Sequence, residues 1–262
     1  MTQTKNVKKA RLTKSARSPE EKLAEEIELL GHTHGVSKVF DTFLELTATG
    51  LSAQLDPVNY QERAERFEEL TAKMDEKTIG AYFRMMEHLR KAIDLHRKNP
   101  VDIMGKVYMH LNLHNKWNGQ FFTPDNICRL MAELSGIGEK ASQITEQGSY
   151  MRINEPTCGS GAMLIGAVNA LQKHEVDYRR KTLFVAQDCD KRCVWMTYIQ
   201  CCMYHIPAIV VQGDSLTMQM NEYWYTLDGM KLLSKSDCIN EEAEEAEKTL
   251  NHPTTQVLQA IS

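Results

Sequence analysis

A short run, Met151-Arg152-Ile153, leads into Glu155-Pro156-Thr157-Cys158-Gly159-Ser160-Gly161, and the chain continues as Ala162-Met163-Leu164-Ile165-Gly166-Ala167. This reads as a strand, Arg152 to Glu155, entering a glycine-rich turn that opens a helix from Gly161 to Leu171. A turn of this kind brings bare backbone to a helix N-terminus, where a ligand can approach closely. The pattern then repeats without the glycines. Thr182 to Ala186 reads as a second strand before Gln187-Asp188, Lys191 to Tyr204 as a helix, and Ala208 to Gln212 as a third strand before Gly213-Asp214-Ser215-Leu216. Strands alternating with helices imply a parallel sheet with right-handed crossovers, whose ligand groups collect at the carboxyl ends of the strands. Tyr223-Trp224-Tyr225 and Met230-Lys231-Leu232-Leu233 are expected to supply at most one further strand or helix.

The segment before this α/β rhythm differs in composition. From Pro19 to about Lys98 glycine is sparse and apolar residues recur at helical spacing, as in Phe67, Leu70 and Met74. Ser18-Pro19-Glu20-Glu21 predicts a helix start, with serine as cap and proline in the first turn. The stretch from Gly50 to Asn59, with Asp56-Pro57, is expected to divide the region into two helical parts, and Asn99-Pro100 to end the second. The domain reading is therefore a basic disordered arm over 1–18, a helical region over 19–118, a cofactor-binding domain over 119–220, and an acidic, partly disordered segment over 221–262.

With 262 residues, 42% of them hydrophobic and 25% charged, the chain can bury a sizeable core. No apolar run approaches the roughly 20 residues needed to cross a bilayer, and no apolar segment follows the basic start. A cytoplasmic location without membrane contact is expected, and the seven cysteines then read as reduced thiols. Cys193, Cys201 and Cys202 fall on the apolar pattern of a helix and read as core, so no metal site is expected. The net charge of -4 offers no global attraction to nucleic acid. Lys5, Lys8, Lys9, Arg11, Lys14 and Arg17 form a local basic arm suited to a phosphate backbone or to plain solvation.

Gln120-Phe121-Phe122-Thr123-Pro124, Glu155-Pro156-Thr157-Cys158-Gly159-Ser160-Gly161, Asp188 and Gly213-Asp214-Ser215-Leu216 occur in the order and at the spacing of the N6-adenine DNA methyltransferases. The chain resembles, in particular, the methylation subunits of type I restriction-modification systems. The resemblance covers about residues 105 to 216. It implies an α/β fold in which an N-terminal helical region precedes a shortened Rossmann-like domain that binds S-adenosylmethionine. Carried over residue by residue, Phe122, Thr123 and Pro124 close over the methionine end. Gly159 and Gly161 permit close approach, Pro156, Cys158 and Ser160 line the turn, and Glu155 holds the ammonium group. Asp188 accepts from the ribose hydroxyls and Asp214 meets the adenine amino group; Trp195 and Ile206 are alternatives for flanking the adenine ring.

The implied activity is methyl transfer to adenine N6 in DNA, with DNA and a specificity or catalytic partner subunit as partners. One family element departs from the pattern, because no Asn-Pro-Pro-aromatic tetrapeptide follows Gly213-Asp214-Ser215-Leu216. In the family that segment accepts hydrogen bonds from the target amine and stacks on the flipped base. Asn221-Glu222-Tyr223-Trp224 and Asn251-His252-Pro253-Thr254 carry parts of it, and the catalytic residues are left unassigned. The alternative reading is an inactive accessory or regulatory subunit that assembles with a partner or DNA, and an open sheet edge beside the first strand is expected to need cover.

Overall fold

A computed structural model of the chain describes residues 17–113, 122–144 and 149–237. The basic arm up to residue 16, the acidic run after residue 237 and the segment Asn251–Thr254 lie outside the described residues. No described helix is long and apolar enough to cross a membrane.

The first helix, α1 (Pro19–His34), starts where expected: the Ser18 hydroxyl accepts from Glu21 N–H and the Glu21 carboxylate accepts from Ser18 N–H, a reciprocal cap. It stops at Gly35, whose φ of 87° breaks the helical path before α2 (Val36–Leu55). The expected break in the stretch from Gly50 to Asn59 is found at Asp56-Pro57: α2 runs on through Gly50, where the Phe67 ring of α3 (Tyr60–Thr71) stands 3.2 Å from the position of a β-carbon, and ends at Asp56. The second expected stretch is α3 and α4 (Glu76–Leu95), the latter capped by Asp75 on Thr78 N–H. A short α5 (Ile103–His110) follows the Asn99-Pro100 break.

These helices share one core with the α/β part. Leu23, Phe40, Phe43, Met85 and Leu89 join a continuous buried cluster with Leu164, Phe184, Tyr198, Val210 and Trp224. Each large side chain so buried contributes about 2–3 kcal/mol through area removed from water.

The α/β part runs α6 (Asp125–Leu134), α7 (Ile137–Ser142), β1 (Met151–Glu155), α8 (Ala162–Lys173), α9 (Tyr178–Lys181), β2 (Thr182–Asp188), α10 (Lys191–Tyr204), β3 (Ala208–Asp214), β4 (Gln219–Tyr225) and α11 (Leu227–Asp237). The sheet order is β1-β2-β3-β4. The first three strands are parallel, with Ile153 opposite Phe184 and Ala186 opposite Val210. Six of the seven β2 residues are buried, as a central parallel strand requires, whereas β1 alternates between half-buried and exposed.

The sheet is not wholly parallel. Strand β4 returns antiparallel beside β3, with a register shift at Gln212/Gly213, and α11 covers the second face over Leu183, Ile209, Val211 and Tyr225. Tyr223-Trp224-Tyr225 and the Met230 segment thus supply a strand and a helix together, and the expected boundary at 220 falls inside β4. A run of only seven strand residues after a tight hairpin carries too weak a pattern to be separated from a loop by sequence alone.

The β4 edge is covered by the α2–α3 junction. The Asp56 carboxylate accepts from Val58 N–H (2.9 Å), Asn59 N–H (3.1 Å) and Tyr225 N–H (3.3 Å). Asn59 Nδ2 donates to the Tyr223 carbonyl (3.2 Å). The buried Arg63 guanidinium pairs with Glu222, donates to the same carbonyl and stacks 3.8 Å from the Trp224 ring centre. Side chains from the helical region therefore take the backbone groups that an edge strand would otherwise present.

Candidate functional site

Three carboxylates end the three parallel strands: Glu155 on β1, Asp188 on β2 and Asp214 on β3. The glycine-rich turn lies between the first two. Cys158 N–H donates to the Gln187 carbonyl at 2.7 Å, which ties the turn to β2, and Gly159 N–H donates to Asp188 Oδ2 at 3.0 Å. Gly159 has φ 55° and Gly161 has φ 93°, left-handed values that a side chain would strain. Neither glycine has room either. A β-carbon on Gly159 would meet the Phe122 ring at 3.1 Å, and one on Gly161 would meet Thr197 Oγ1 at 3.1 Å.

Phe122 therefore lies over the turn. Its ring packs tilted against Tyr108 of α5, centroids 5.1 Å apart, and Tyr108 in turn lies 5.8 Å from Phe40 of α2. Thr123 and Pro124 are exposed and lead into α6, with Pro124 as its N-cap. Four predicted residues, Phe122, Glu155, Gly159 and Asp188, are thus brought together at the ends of β1 and β2.

The environments of the acids differ. Glu155 is half-buried and accepts from Thr157 N–H at 3.2 Å; burial raises its carboxyl above the ordinary range, and the neighbouring Asp188 charge adds to the rise. Asp188 accepts from Gly159 N–H on one oxygen and from Asp190 N–H at 2.9 Å on the other. Each carboxylate oxygen keeps a further acceptor direction, so the side chain can take a pair of hydroxyl donors as well. Asp190 caps α10 by accepting from Arg192 N–H. Asp214 accepts from Leu216 N–H (2.8 Å) and Thr217 N–H (3.3 Å), bonds that hold its carboxyl low and form the turn between β3 and β4.

Other expected positions face inward. Cys158 is buried, and that burial pushes its thiol well up. The Ser160 side chain is fully buried and donates to Asp102, so it supports the turn from beneath instead of lining its open side. Ile206 is sealed in the core with no exposed surface to offer an adenine ring, while Trp195 is half-buried against the same core. Among the polar residues that hold the turn, Asp102, Thr197 and Gln200 escaped the sequence reading; Thr197 donates to the Gly159 carbonyl at 3.0 Å. Their partners lie from 38 to 98 residues away, so no local pattern marks them.

A cavity of about 470 Å³ lies elsewhere, between α3, β4 and the start of α10; Asn221, Glu222 and Tyr223 line it, and none of the expected cofactor residues does. Its charged walls are already paired, Glu222 with both Arg63 and Lys191. The strand ends, with their glycines and convergent carboxylates, are the better candidate for chemistry.

A model described as N-6 DNA methylase matches residues 99–233, just over half of the chain. The chain belongs to the N-6 DNA methylase family. The match starts at the Asn99-Pro100 break and ends in α11, so the family-matched part comprises α5, the sheet and its covering helices, while α1 to α4 lie before it. No curated protein matches the chain. Among solved structures, a class I S-adenosylmethionine-dependent methyltransferase from Listeria monocytogenes is similar with a TM-score of 0.38 and 18% identity. The likeness covers 75% of this chain and 55% of that one, so the chain spans little more than half the length of that structure.

Proposed function

We propose that the chain binds S-adenosylmethionine at the ends of β1 and β2 and takes part in methyl transfer to adenine N6 in DNA. The observation that carries the reading is the meeting of Glu155, Asp188, a side-chain-free Gly159 and the Phe122 ring at one turn. Glu155 holds the ammonium group, Asp188 accepts from the ribose hydroxyls, and the methionyl part lies beside the turn that Phe122 closes at Gly159. Asp214, while it holds the hairpin turn, keeps an acceptor for the adenine amino group. When bound, S-adenosylmethionine supplies a methyl group on a sulfonium centre, ready for direct displacement by a nitrogen lone pair. The protein's part is to orient that methyl and to accept hydrogen bonds from the target amine so that its lone pair is free.

The test is calorimetric titration with S-adenosylmethionine. Wild-type binding that Asp188→Ala weakens by about tenfold or more supports the site, since one charge-assisted contact contributes on that scale. Unchanged affinity in Asp188→Ala counts decisively against it.

A second reading is favoured by the fate of Asn221-Glu222-Tyr223-Trp224. Glu222 is paired with Arg63, the Tyr223 carbonyl is taken by Asn59 and Arg63, and Trp224 is 1% exposed, so this segment builds the β4 edge. In this reading the chain acts as a subunit of a restriction-modification assembly, and a partner supplies the groups that meet the target base. Methylation of adenine-containing DNA by the purified chain alone would remove it; methylation that appears only on adding the partner would establish it.

A further inference from the structure

Asp102, at the N-cap of α5, is a fully enclosed carboxyl group whose described partners are all neutral. Oδ1 accepts from Gly105 N–H at 2.8 Å and from Gln200 Nε2 at 2.9 Å, and Oδ2 accepts from the Ser160 hydroxyl in a short bond. Burial raises the Asp102 carboxyl, and the three donors oppose that rise. Capping accounts for the Gly105 bond alone. Helix capping in the open, as by Asp75 on α4, needs no buried carboxyl.

The other oxygen of Asp102 reaches the glycine-rich turn. Ser160 stands between Gly159 and Gly161, both at positive φ, and supplies the one side chain of that tripeptide. It is gripped twice, because Gln200 Nε2 also donates to the Ser160 carbonyl at 2.7 Å. Gln200 Oε1 accepts from Ile103 N–H at 2.8 Å and Met104 N–H at 3.3 Å, which ties α10 to the first turn of α5. The fit leaves no slack: a β-carbon on Gly105 would overlap both the Asp102 carboxyl and the Ser160 hydroxyl. The same helix carries Tyr108, whose ring backs the Phe122 ring over Gly159.

We propose that Asp102 is a positioning residue which, through Ser160, holds Gly159-Ser160-Gly161 in the ligand-ready conformation, with Gly159 N–H directed at Asp188. The proposal rests on the reading of this turn as the S-adenosylmethionine site. Glycine on both sides gives the free turn many conformations, and the Asp102–Ser160–Gln200 cluster selects one.

The experiment titrates S-adenosylmethionine into the full chain as wild type, Ser160→Ala, Asp102→Ala and Asp102→Asn, with thermal melting and hydrogen exchange of the amides over 159–162 in each. A turn that is competent only about a tenth of the time weakens apparent affinity about tenfold. That loss is expected in Ser160→Ala and Asp102→Ala with cooperative melting retained. Asp102→Asn is expected to recover most of it, because the amide oxygen keeps the Gly105 and Gln200 donors while the Ser160 hydroxyl turns to accept from the amide N–H. Should Asp102→Ala not fold, Ser160→Ala decides.

Wild-type affinity in a folded Ser160→Ala, or a lowered melting temperature with affinity unchanged, overturns the proposal. If the wild type itself takes up no S-adenosylmethionine, the cofactor reading fails. Positioning is then judged by hydrogen exchange: faster exchange over 159–162 in Ser160→Ala upholds it, and unchanged exchange overturns it.

Discussion

At one edge of the sheet, β4 is met by Asp56, Asn59 and Arg63, which take the Tyr225 amide and the Tyr223 carbonyl. At the other, β1 pairs with β2 on one side and, among the described residues, with no strand on the other. The first edge is closed by side chains from a helical region that precedes the family-matched unit, and it uses buried ionic and amide groups to do so. The second edge ends in Glu155 and carries the turn that faces the candidate cofactor. Covering an edge contributes stability, whereas a strand end that must meet a ligand keeps its polar groups accessible. Substitutions at β4 should therefore move stability with little effect on ligand affinity, and those at the end of β1 should do the reverse.

The largest effect is expected from Arg63→Ala, which strips the charge partner from Glu222 and uncovers Trp224. Removing one member of a largely buried pair costs about 3 kcal/mol in urea unfolding. Arg63→Met should recover part of that loss, since an apolar replacement keeps the packing on Trp224 and requires no charge burial. If Arg63→Ala instead lowered S-adenosylmethionine affinity at unchanged stability, the division between the edges would be broken.

Next in size is Asp56→Ala, which orphans the Val58, Asn59 and Tyr225 amides. About 2 kcal/mol is expected, and the double variant with Arg63→Ala should fall short of the sum because both residues hold the same strand. Full additivity would mean that the two act on separate structures.

Glu155 sharpens the comparison from the other side. Burial holds its carboxyl above the ordinary 4.5 in the free protein, and an ammonium ligand favours the ionised form. Affinity should be full above that raised value and fall as pH drops through it, by up to about 1.4 kcal/mol per pH unit for one linked proton. Titrations from neutral pH downward should show this slope in the wild type and a flat profile in Glu155→Gln, with unfolding little changed. A slope that survives in Glu155→Gln would place the titrating group elsewhere.

The smallest effect belongs to Asn154→Lys on the exposed face of β1, expected within about 0.5 kcal/mol in stability. A markedly larger loss would show that something covers this part of β1.

Much of the site was legible because its chemistry is local. Two glycines in a turn, a carboxylate at each strand end and a Phe-Thr-Pro lead can be read from neighbouring letters, and the turn, Asp188 and Phe122 do come together. Ser160 was read as lining the ligand because it sits in the same turn. Its direction is decided by Asp102, 58 residues earlier, and by Gln200, 40 residues later. The break between α2 and α3, by contrast, falls at Asp56-Pro57 within the expected stretch, because the chemistry of a residue before proline is local.

The sequence by itself determined the order of strands and helices from β1 to β3, the capped start of α1, and the placing of acids and glycines at the strand ends. Short-range hydrophobic period, capping chemistry and backbone freedom are enough for these. Tertiary structure alone decided that β4 returns antiparallel, that Asn221–Trp224 builds an edge, and that Asp102 grips the turn. Each of those outcomes depends on which distant polar groups become buried together, and burial without a partner is too costly to leave that choice to local preference.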